Sequence, residues 1–149
     1  MEPVFEIRQI SAEEARPIRQ QVLYPGDPES KSLYRGDTRS EARHFGAFDS
    51  NCLIGAVSVY LRDPKTDKPL GRSWRIRGNA ILDKEQGRGI GRELVNSCVR
   101  YVESQAGELI WCDVRTNVTG FYESLGFHVE GEPFYLEGMG MRYRMTRKI

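Results

Sequence analysis

The chain has 149 residues, of which 39% are hydrophobic and 29% charged, which is typical of one soluble globular domain, residues 1–149, with a full hydrophobic core. Its 22 basic and 21 acidic residues give a net charge of +1, so nothing in the overall charge favours nucleic acid as a partner. The sequence shows neither a leader pattern at its start nor about eighteen apolar residues in succession, and we therefore expect a cytoplasmic protein without a membrane partner.

The first elements are a short strand and a helix. Val4 to Ile10 mixes apolar and polar residues as a strand does. Ser11 and Glu14 then form the sequence of a capping box, which predicts a helix running to Leu23. Pro17 lies within this helix and is expected either to kink it or to place its true start close to the proline.

A long polar loop and a hairpin follow. The stretch from Tyr24 to Arg43 contains several proline and glycine residues, and because loops of this length in compact domains are often functional, we place substrate selection here and on the preceding helix. Two runs rich in Val, Phe and Tyr, joined by the turn residues Asp49 to Asn51, predict a hairpin of His44 to Phe48 and Leu53 to Leu61.

The centre of the chain predicts a parallel βαβ unit. The strand Trp74 to Leu82 carries Gly78, which suggests a bulge, and it is followed by the glycine-rich segment Gln86 to Gly91. A helix from Ile90 to Glu103 has an apolar face at helical spacing, and the apolar run Leu109 to Val114 reads as a buried strand. The crossover is expected to be right-handed.

The segment Gln86 to Gly91, hereafter the glycine loop, has the composition of an anion-binding turn. Glycines at the start of a helix let several backbone N–H groups point at one place, where the helix dipole favours a pyrophosphate. Arg88 and Arg92 add cationic donors there, although both are alternatively plain solvated charges. A glycine-rich turn that binds nothing is the alternative for the loop itself.

The last third predicts a short helix and a closing pair of strands. Val118 to Leu125 reads as a helix that stops at Gly126. Phe127 to Val129 and Met141 to Met145 look like strands, separated by a loop from Gly131 to Gly140. Exposed strand edges in this region make a homodimer possible. Cys52, Cys98 and Cys112 lack paired spacing, so we expect reduced, mostly buried thiols and no metal.

Two motifs in this order carry a family resemblance. Gln86-x-x-Gly89-x-Gly91 matches a pyrophosphate-loop signature, and Phe121 to Phe127 matches a run found on a later helix of the same family. The stretch Trp74 to Phe127 thus resembles the GNAT superfamily of acyl-CoA-dependent N-acetyltransferases. The resemblance implies an α+β fold with a central twisted mixed sheet of six to seven strands. It further implies about four flanking helices and a V-shaped splay between the fourth and fifth strands.

The resemblance also implies a donor, an acceptor and roles for residues. Acetyl-CoA would give its acetyl group to a primary amine through direct attack and a tetrahedral intermediate. The expected amine is on a small molecule, with a peptide N-terminus or a lysine as the alternative. Backbone groups of Ile81 and Leu82 would face the acyl-pantetheine arm, and Asn117 would contact the cofactor near the pantetheine. Tyr122 would be general acid to the departing thiolate. The remaining implied cofactor-binding residues are those of the glycine loop and the position after it: Gln86, Gly87, Arg88, Gly89, Ile90, Gly91 and Arg92.

Several assignments have a structural alternative. Tyr122 shares an apolar helical face and is alternatively a core aromatic, and Asn117 is alternatively a helix N-cap. A binding module that holds acyl-CoA without catalysis is the alternative function, because the fourth strand lacks the glutamate that many relatives use as base. A nucleotide-binding domain is disfavoured, since the glycine loop has neither the lysine-containing phosphate-loop ending nor the dinucleotide fingerprint.

The sequence alone does not identify the general base or the site that binds the acceptor. Candidates for the base are His44, Glu41, Asp113, Asp83 and an ordered water. For the acceptor, Arg19 and His44 are the predicted binding residues; Arg19, Arg35 and Arg43 suit a carboxylate or phosphate, and Asp37 an amine, although each is alternatively a surface charge.

Overall fold

The computed structural model describes residues 4–149 and contains seven strands and three α-helices. The strands are β1 (Glu6–Ile10), β2 (Arg43–Asp49), β3 (Cys52–Leu61), β4 (Ser73–Ile81), β5 (Leu109–Arg115), β6 (His128–Leu136) and β7 (Gly140–Lys148); the helices are α1 (Ala12–Leu23), α2 (Ile90–Ser104) and α3 (Thr119–Glu123). Short 3₁₀ turns occur at Glu29–Ser32 and Asp83–Glu85. The strand order is β1-β2-β3-β4-β5-β7-β6. The mixed sheet confirms the predicted fold class.

The chain forms two compact units, each built from two separate stretches. The first unit contains the chain up to Tyr60 together with Ile76–Tyr101, and the second contains Leu61–Arg75 with Val102–Ile149. The description as a single domain stays a prediction.

In the first unit, α1 begins where its capping residues predict. Glu14 donates its backbone N–H to Ser11 Oγ over 3.1 Å, and Ser11 N–H donates to Glu14 Oε1 over 2.9 Å. Pro17 lies inside the helix. The alternative of a helix start near the proline is therefore wrong, since the capping box fixes the start at Ala12. The apolar side of α1 packs against the sheet in a cluster of Ile10, Ala15, Ile18, Ala56 and Ala80.

The hairpin of β2 and β3 turns through two residues. Ser50 and Asn51 both have positive φ, 49° and 65°, as a tight turn matched to the strand twist requires. The register pairs Asp49 with Cys52 and shifts between Ala47 and Phe48. Asp49 thereby stands at the end of β2, directly before the turn.

The strand–helix–strand order at the centre is confirmed. β4 and β5 are parallel and pair through Ser73–Leu109, Trp74–Ile110 and Arg75–Trp111, a parallel pair of the kind that the predicted splay requires. Gly78 adopts φ of +71° in mid-strand, where a Cβ would lie 2.9 Å from Tyr34 Cε2. The apolar face of α2 is buried as its spacing predicts: Ile90, Leu94, Val95, Cys98, Val99 and Val102.

In the second unit, the predicted loop from Gly131 to Gly140 is wrong. β6 continues through it to Leu136, and only Glu137, Gly138 and Met139 turn the chain into β7. The β6–β7 register shifts between Glu130 and Phe134, so glycine and proline there interrupt the ladder without ending the strand. β6 is a terminal strand of the sheet, and a homodimer through such an edge stays a prediction.

Cys98 and Cys112 are buried and Cys52 is exposed, and all three are free thiols. Burial raises the pKa of the Cys98 and Cys112 thiols, which keeps them protonated and unreactive.

Candidate functional site

The glycine loop connects the 3₁₀ turn after β4 to the first turn of α2. Gly87 has φ of +83° and Gly89 has φ of +82°, both in the left-handed region that L side chains rarely adopt. A Cβ at either position would meet no heavy atom within 4 Å. Glycine is therefore required here by the backbone conformation, while the space in front of the loop is open.

The loop presents a row of backbone donors. Among residues 4–149, the N–H groups from Gly87 to Arg92 make no hydrogen bond to a main-chain or side-chain acceptor. The first amide of this region that does so is Glu93, which donates to Gly89 O over 3.2 Å. The amides stand at the N-terminus of a helix of 15 residues, where unpaired N–H groups and the helix dipole favour an anion.

Two side chains fasten the glycine loop to its surroundings. Gln86 Nε2 donates to Ile81 O over 3.2 Å, at the end of β4. Arg88 Nη1 pairs with Glu85 and lies 3.1 Å from Asp49 Oδ2, at the end of β2. The guanidinium of Arg88 thus binds protein carboxylates, and the role that the structure favours for it is to hold the loop. Arg92, in contrast, is exposed.

The backbone groups of Ile81 and Leu82, predicted to face the acyl-pantetheine arm, have partners within the protein. Ile81 O accepts from Gln86, as described above. Leu82 N–H donates to Ile54 O over 3.0 Å, and Leu82 O accepts from Glu85 N–H over 2.8 Å. These bonds fix the end of β4 directly before the glycine loop.

In the second unit, Tyr122 is buried on α3. Its ring makes edge contacts with Phe121 and Phe127, at centroid distances of 4.9 and 5.5 Å. The aromatic packing that we considered for Tyr122 is thus present, and it holds the ring in one orientation. Asn117 is exposed in the turn before α3, and the N-cap is Val118, without a side-chain capping bond. The interpretation of Asn117 as the N-cap is therefore wrong.

Arg19 is the centre of a buried polar cluster in the first unit, hereafter the arginine network, which contains Arg19, Asp37, His44, Ser58 and Tyr60. The Arg19 side chain has no exposed surface and binds both oxygens of Asp37, over 2.8 and 2.9 Å. Arg19 Nη2 also donates to Ser58 Oγ over 2.7 Å and to Tyr60 OH over 3.1 Å. Tyr60 in turn donates to Asp37 Oδ1 over 2.6 Å.

The pKa values of the network follow from this pairing. Burial raises the pKa of the Asp37 carboxyl, but hydrogen bonds from Arg19 and Tyr60 outweigh burial and hold the pKa below its ordinary value. Burial disfavours the charged form of Arg19 and so lowers its pKa. The hydrogen bond to Asp37 is the largest contribution in the opposite direction, and the net effect is a raised pKa. Both groups are therefore ionised at neutral pH.

His44 is buried in the same network in its neutral form. Its Nε2 lies 2.9 Å from the carbonyl oxygen of Asp37, which only accepts, so Nε2 carries the hydrogen. Its Nδ1 then accepts from Ser58 Oγ over 2.6 Å. Burial lowers the pKa of His44. Arg19 and His44 are packed residues, and both terminal nitrogens of Arg19 and both ring nitrogens of His44 have partners within the protein, which does not favour the substrate-binding role predicted for them.

The three carboxylates considered as general base have different hydrogen-bonding partners. Asp113 accepts two hydrogen bonds from Arg144, over 2.8 and 3.0 Å, and its side chain is 6% exposed. Glu41 pairs with Arg39 over 2.6 Å; burial raises its pKa, but the hydrogen bonds it accepts and the charge of Arg39 together hold the pKa below its ordinary value. Asp83 is exposed at the 3₁₀ turn and accepts from Gln86 over 3.4 Å. The geometry singles out none of the three.

Sequence reasoning named Arg19, Asp37 and His44 but missed Ser58 and Tyr60 of the arginine network and its aromatic neighbours. Tyr34 contacts the Arg19 guanidinium through its ring, 4.0 Å from the ring centroid, and its hydroxyl lies 2.8 Å from that of Tyr24. These residues come from the polar loop and from β3, and no spacing in the sequence relates them. The only available signal was the clustering of tyrosine and arginine in and around that loop.

Within residues 4–149, no group of three or more His, Cys, Asp or Glu side chains is arranged to hold a metal ion. No helix in the described part of the chain has the length and apolar character needed to cross a membrane.

A family model and a curated relative match this chain over most of its length. The model of the acetyltransferase (GNAT) family matches residues 4–127. The uncharacterized N-acetyltransferase YitI of Bacillus subtilis (strain 168) is 28% identical over 148 residues, covering 98% of this chain and 97% of that protein.

Two solved structures share the fold at low sequence identity. The ribosomal-protein-S18-alanine N-acetyltransferase from Escherichia coli has a TM-score of 0.76 at 17% identity, covering 98% of this chain and 94% of the other. A GNAT family acetyltransferase from Elizabethkingia anophelis with acetyl-CoA bound has a TM-score of 0.70 at 18% identity, covering 97% and 98%. With the family model spanning most of its residues, this chain belongs to the GNAT family of acetyltransferases.

Proposed function

We propose that this chain transfers the acetyl group of acetyl-CoA to a primary amine of a small molecule. GNAT acetyltransferases use acetyl-CoA. The observation that carries the proposal is the row of unpaired amides from Gly87 to Arg92 in an open, glycine-dependent conformation. Such a row supplies several hydrogen bonds to a pyrophosphate, which is the part of coenzyme A that suits a helix N-terminus.

The chemistry of the proposed reaction needs few groups. The nitrogen of the neutral amine attacks the thioester carbonyl carbon and gives up one proton to solvent water. The resulting tetrahedral oxyanion then collapses to an amide as the carbon–sulfur bond breaks. The departing thiolate takes a proton, and we assign this proton to the hydroxyl of Tyr122 as general acid. The assignment rests on the family resemblance of Phe121 to Phe127 and on the fixed orientation of the Tyr122 ring.

The experiment is Tyr122→Phe, compared with Tyr135→Phe as control. Tyr135 is 66% exposed on β6 and has no proposed role. We expect Tyr122→Phe to lower turnover by about 10²- to 10⁴-fold, the usual contribution of a general acid, without changing acetyl-CoA affinity. Release of free thiol with a panel of amines measures turnover, and calorimetry measures affinity.

Three outcomes distinguish the components of the proposal. Unchanged turnover in Tyr122→Phe would show that the acid is another group. Binding of acetyl-CoA without thiol release for any amine would favour the non-catalytic acyl-CoA sensor. Absence of acetyl-CoA binding would contradict the assignment of the glycine loop itself.

A further inference from the structure

Arg77 is an arginine of the first unit that has no carboxylate partner among residues 4–149. It lies on β4, directly before Gly78, and is partly buried. Its guanidinium carbon lies 3.9 Å from the ring centroid of Tyr34. Among residues 4–149 its side chain makes no ion pair or hydrogen bond, and none of its nitrogens is sealed from solvent. Its donors are therefore oriented, accessible and unused.

Tyr34 supports Arg77 as a rigid platform. Its hydroxyl shares a 2.8 Å hydrogen bond with that of Tyr24, and its ring contacts the edge of Tyr60 at a centroid distance of 6.5 Å. A cation over an aromatic face is attracted by the ring quadrupole. The contact thus holds the guanidinium in place without neutralising its charge.

The charge balance around Tyr34 is positive. Arg19 and Arg16 both approach the same carboxylate, Asp37, over 2.8 and 3.6 Å. His44 adds no charge at neutral pH, because burial lowers its pKa. Two arginine charges thus share the single Asp37 carboxylate, and the charge of Arg77, which contacts the ring of Tyr34, comes in addition. An anion that reaches Arg77 finds a favourable field.

We propose that Arg77 binds the carboxylate of the acceptor substrate, so that the preferred acceptors are amines that also carry a carboxylate, such as amino acids. A guanidinium presents parallel N–H groups that match the two oxygens of a carboxylate. This inference rests on the acetyl transfer proposed above, and it names the class of the acceptor.

Two of the three arginines considered from the sequence, Arg19 and Arg43, are less suited to this role. Arg19 is fully buried and bound to Asp37. Arg43 donates from Nη1 to Ser40 O and Ala42 O, each over 2.8 Å, and lies over the ring of Tyr101. Arg77 differs from both because its hydrogen-bonding capacity is not used by the protein.

The test compares Arg77→Gln and Arg77→Lys with the control Arg72→Gln, which removes an exposed arginine paired with Glu108 over 3.1 Å. The probes are L-amino acids and the matching amino acid carboxamides, which keep the amine and lose the carboxylate charge. Thiol release gives kcat/KM for each member of a pair. We expect wild type to favour the amino acids, and Arg77→Gln to lower their kcat/KM by about 10- to 100-fold while leaving the carboxamides unchanged.

The remaining expected results follow from the same contact. Arg77→Lys should keep part of the preference, because it keeps the charge and loses the paired geometry. Arg72→Gln should behave as wild type. In calorimetry, which does not depend on turnover, N-acetyl amino acids should bind more tightly than N-acetyl amino acid amides, and Arg77→Gln should remove the difference.

The inference is overturned if amino acids and carboxamides react equally in wild type, if Arg77→Gln lowers both equally, or if phosphoethanolamine is preferred over every amino acid. Failure of the proposed acetyl transfer is distinguishable from these outcomes, because in that case no amine in the panel leads to release of free thiol. In that case the calorimetric comparison of the N-acetyl compounds still decides whether Arg77 recognises a carboxylate.

Discussion

The glycine loop and the arginine network are both rich in hydrogen-bond donors, but they use them in opposite ways. In the glycine loop and at Arg92 after it, the amides from Gly87 onward have no acceptor in the described part of the chain. In the arginine network, both terminal nitrogens of Arg19 donate to acceptors within the protein. An exposed amide exchanges hydrogen bonds with water at little cost, whereas a buried one without a partner costs about 1–3 kcal/mol. Open, fixed donors therefore indicate a ligand site, and buried donors paired within the protein, such as the terminal nitrogens of Arg19, indicate a structural one.

The largest expected effect tests the structural side of this contrast. Arg19→Ala leaves the Asp37 carboxylate buried without its main partner, and we expect it to lower the free energy of unfolding by about 3–5 kcal/mol, as for other broken buried pairs. Urea unfolding measures the change. The variant should retain wild-type acetyl-CoA affinity at temperatures where it is folded.

Arg39→Ala is the matched control. It removes an arginine that is 48% exposed and pairs with Glu41 over 2.6 Å. An exposed pair contributes at most about 1 kcal/mol, so the control should stay close to wild type. If Arg19→Ala were no more costly than Arg39→Ala, the arginine network would not stabilise the fold.

The second effect tests the exposed amide donors of the glycine loop. Gly89→Ala places a Cβ at φ of +82°, which strains the loop and reorients the amides, and we expect acetyl-CoA affinity to fall by about 10- to 100-fold. Gly71→Ala has nearly the same φ, +81°, and an equally empty surrounding, but it lies outside the loop. Both variants should lose similar stability, and only Gly89→Ala should lose affinity in calorimetry. An equal affinity in the two would remove the loop from the binding site.

The third effect concerns the contact between Asp49 and Arg88, which holds the glycine loop in place. Asp49→Asn weakens the contact that fixes Arg88, and we expect acetyl-CoA to bind about three- to tenfold more weakly. The sign is informative, because removing a negative charge near an anion site would otherwise strengthen binding. Tighter binding in calorimetry would show that Arg88 contacts phosphate itself. Asp27→Asn, which removes an acid paired with Lys31 over 3.5 Å, should leave affinity unchanged.

The elements that depend on neighbours in the chain were predictable from sequence. The capping box at Ser11 and Glu14 fixes the start of α1, and the turn residues after Asp49 close the hairpin. The glycine loop is equally local, since its conformation depends on the glycines themselves and on the helix that follows it. Such features need only spacing and residue type to be recognised.

The arginine network was not predictable, because its bonds join residues that are distant in the chain. Arg19 meets Ser58 and Tyr60, which follow it by 39 and 41 positions. A sequence shows an arginine, but not whether a carboxylate is buried against it, so Arg19 read as a substrate ligand. Arg77 was overlooked for the same reason, since its lack of a partner is visible only in three dimensions.

The smallest effect concerns the pH dependence of stability. His44 has a folded-state pKa below its ordinary value of 6.5, mainly because burial disfavours the imidazolium. As the pH falls through this value, the unfolded chain binds a proton that the folded protein does not, so the free energy of unfolding decreases with falling pH. The slope for one proton is at most about 1.4 kcal/mol per pH unit. Urea unfolding between about pH 7.5 and pH 5.5 measures it.

His44→Gln is the variant that isolates this contribution, because its amide can still donate to the Asp37 carbonyl and accept from Ser58 without titrating. We expect it to flatten the pH profile in this range, where the Asp37 carboxyl stays ionised because its pKa is lowered. The only other histidine, His128, is exposed on β6, and His128→Gln should keep the slope. A wild-type profile without a slope, or a slope that His44→Gln retains, would mean that His44 is not held neutral by the arginine network.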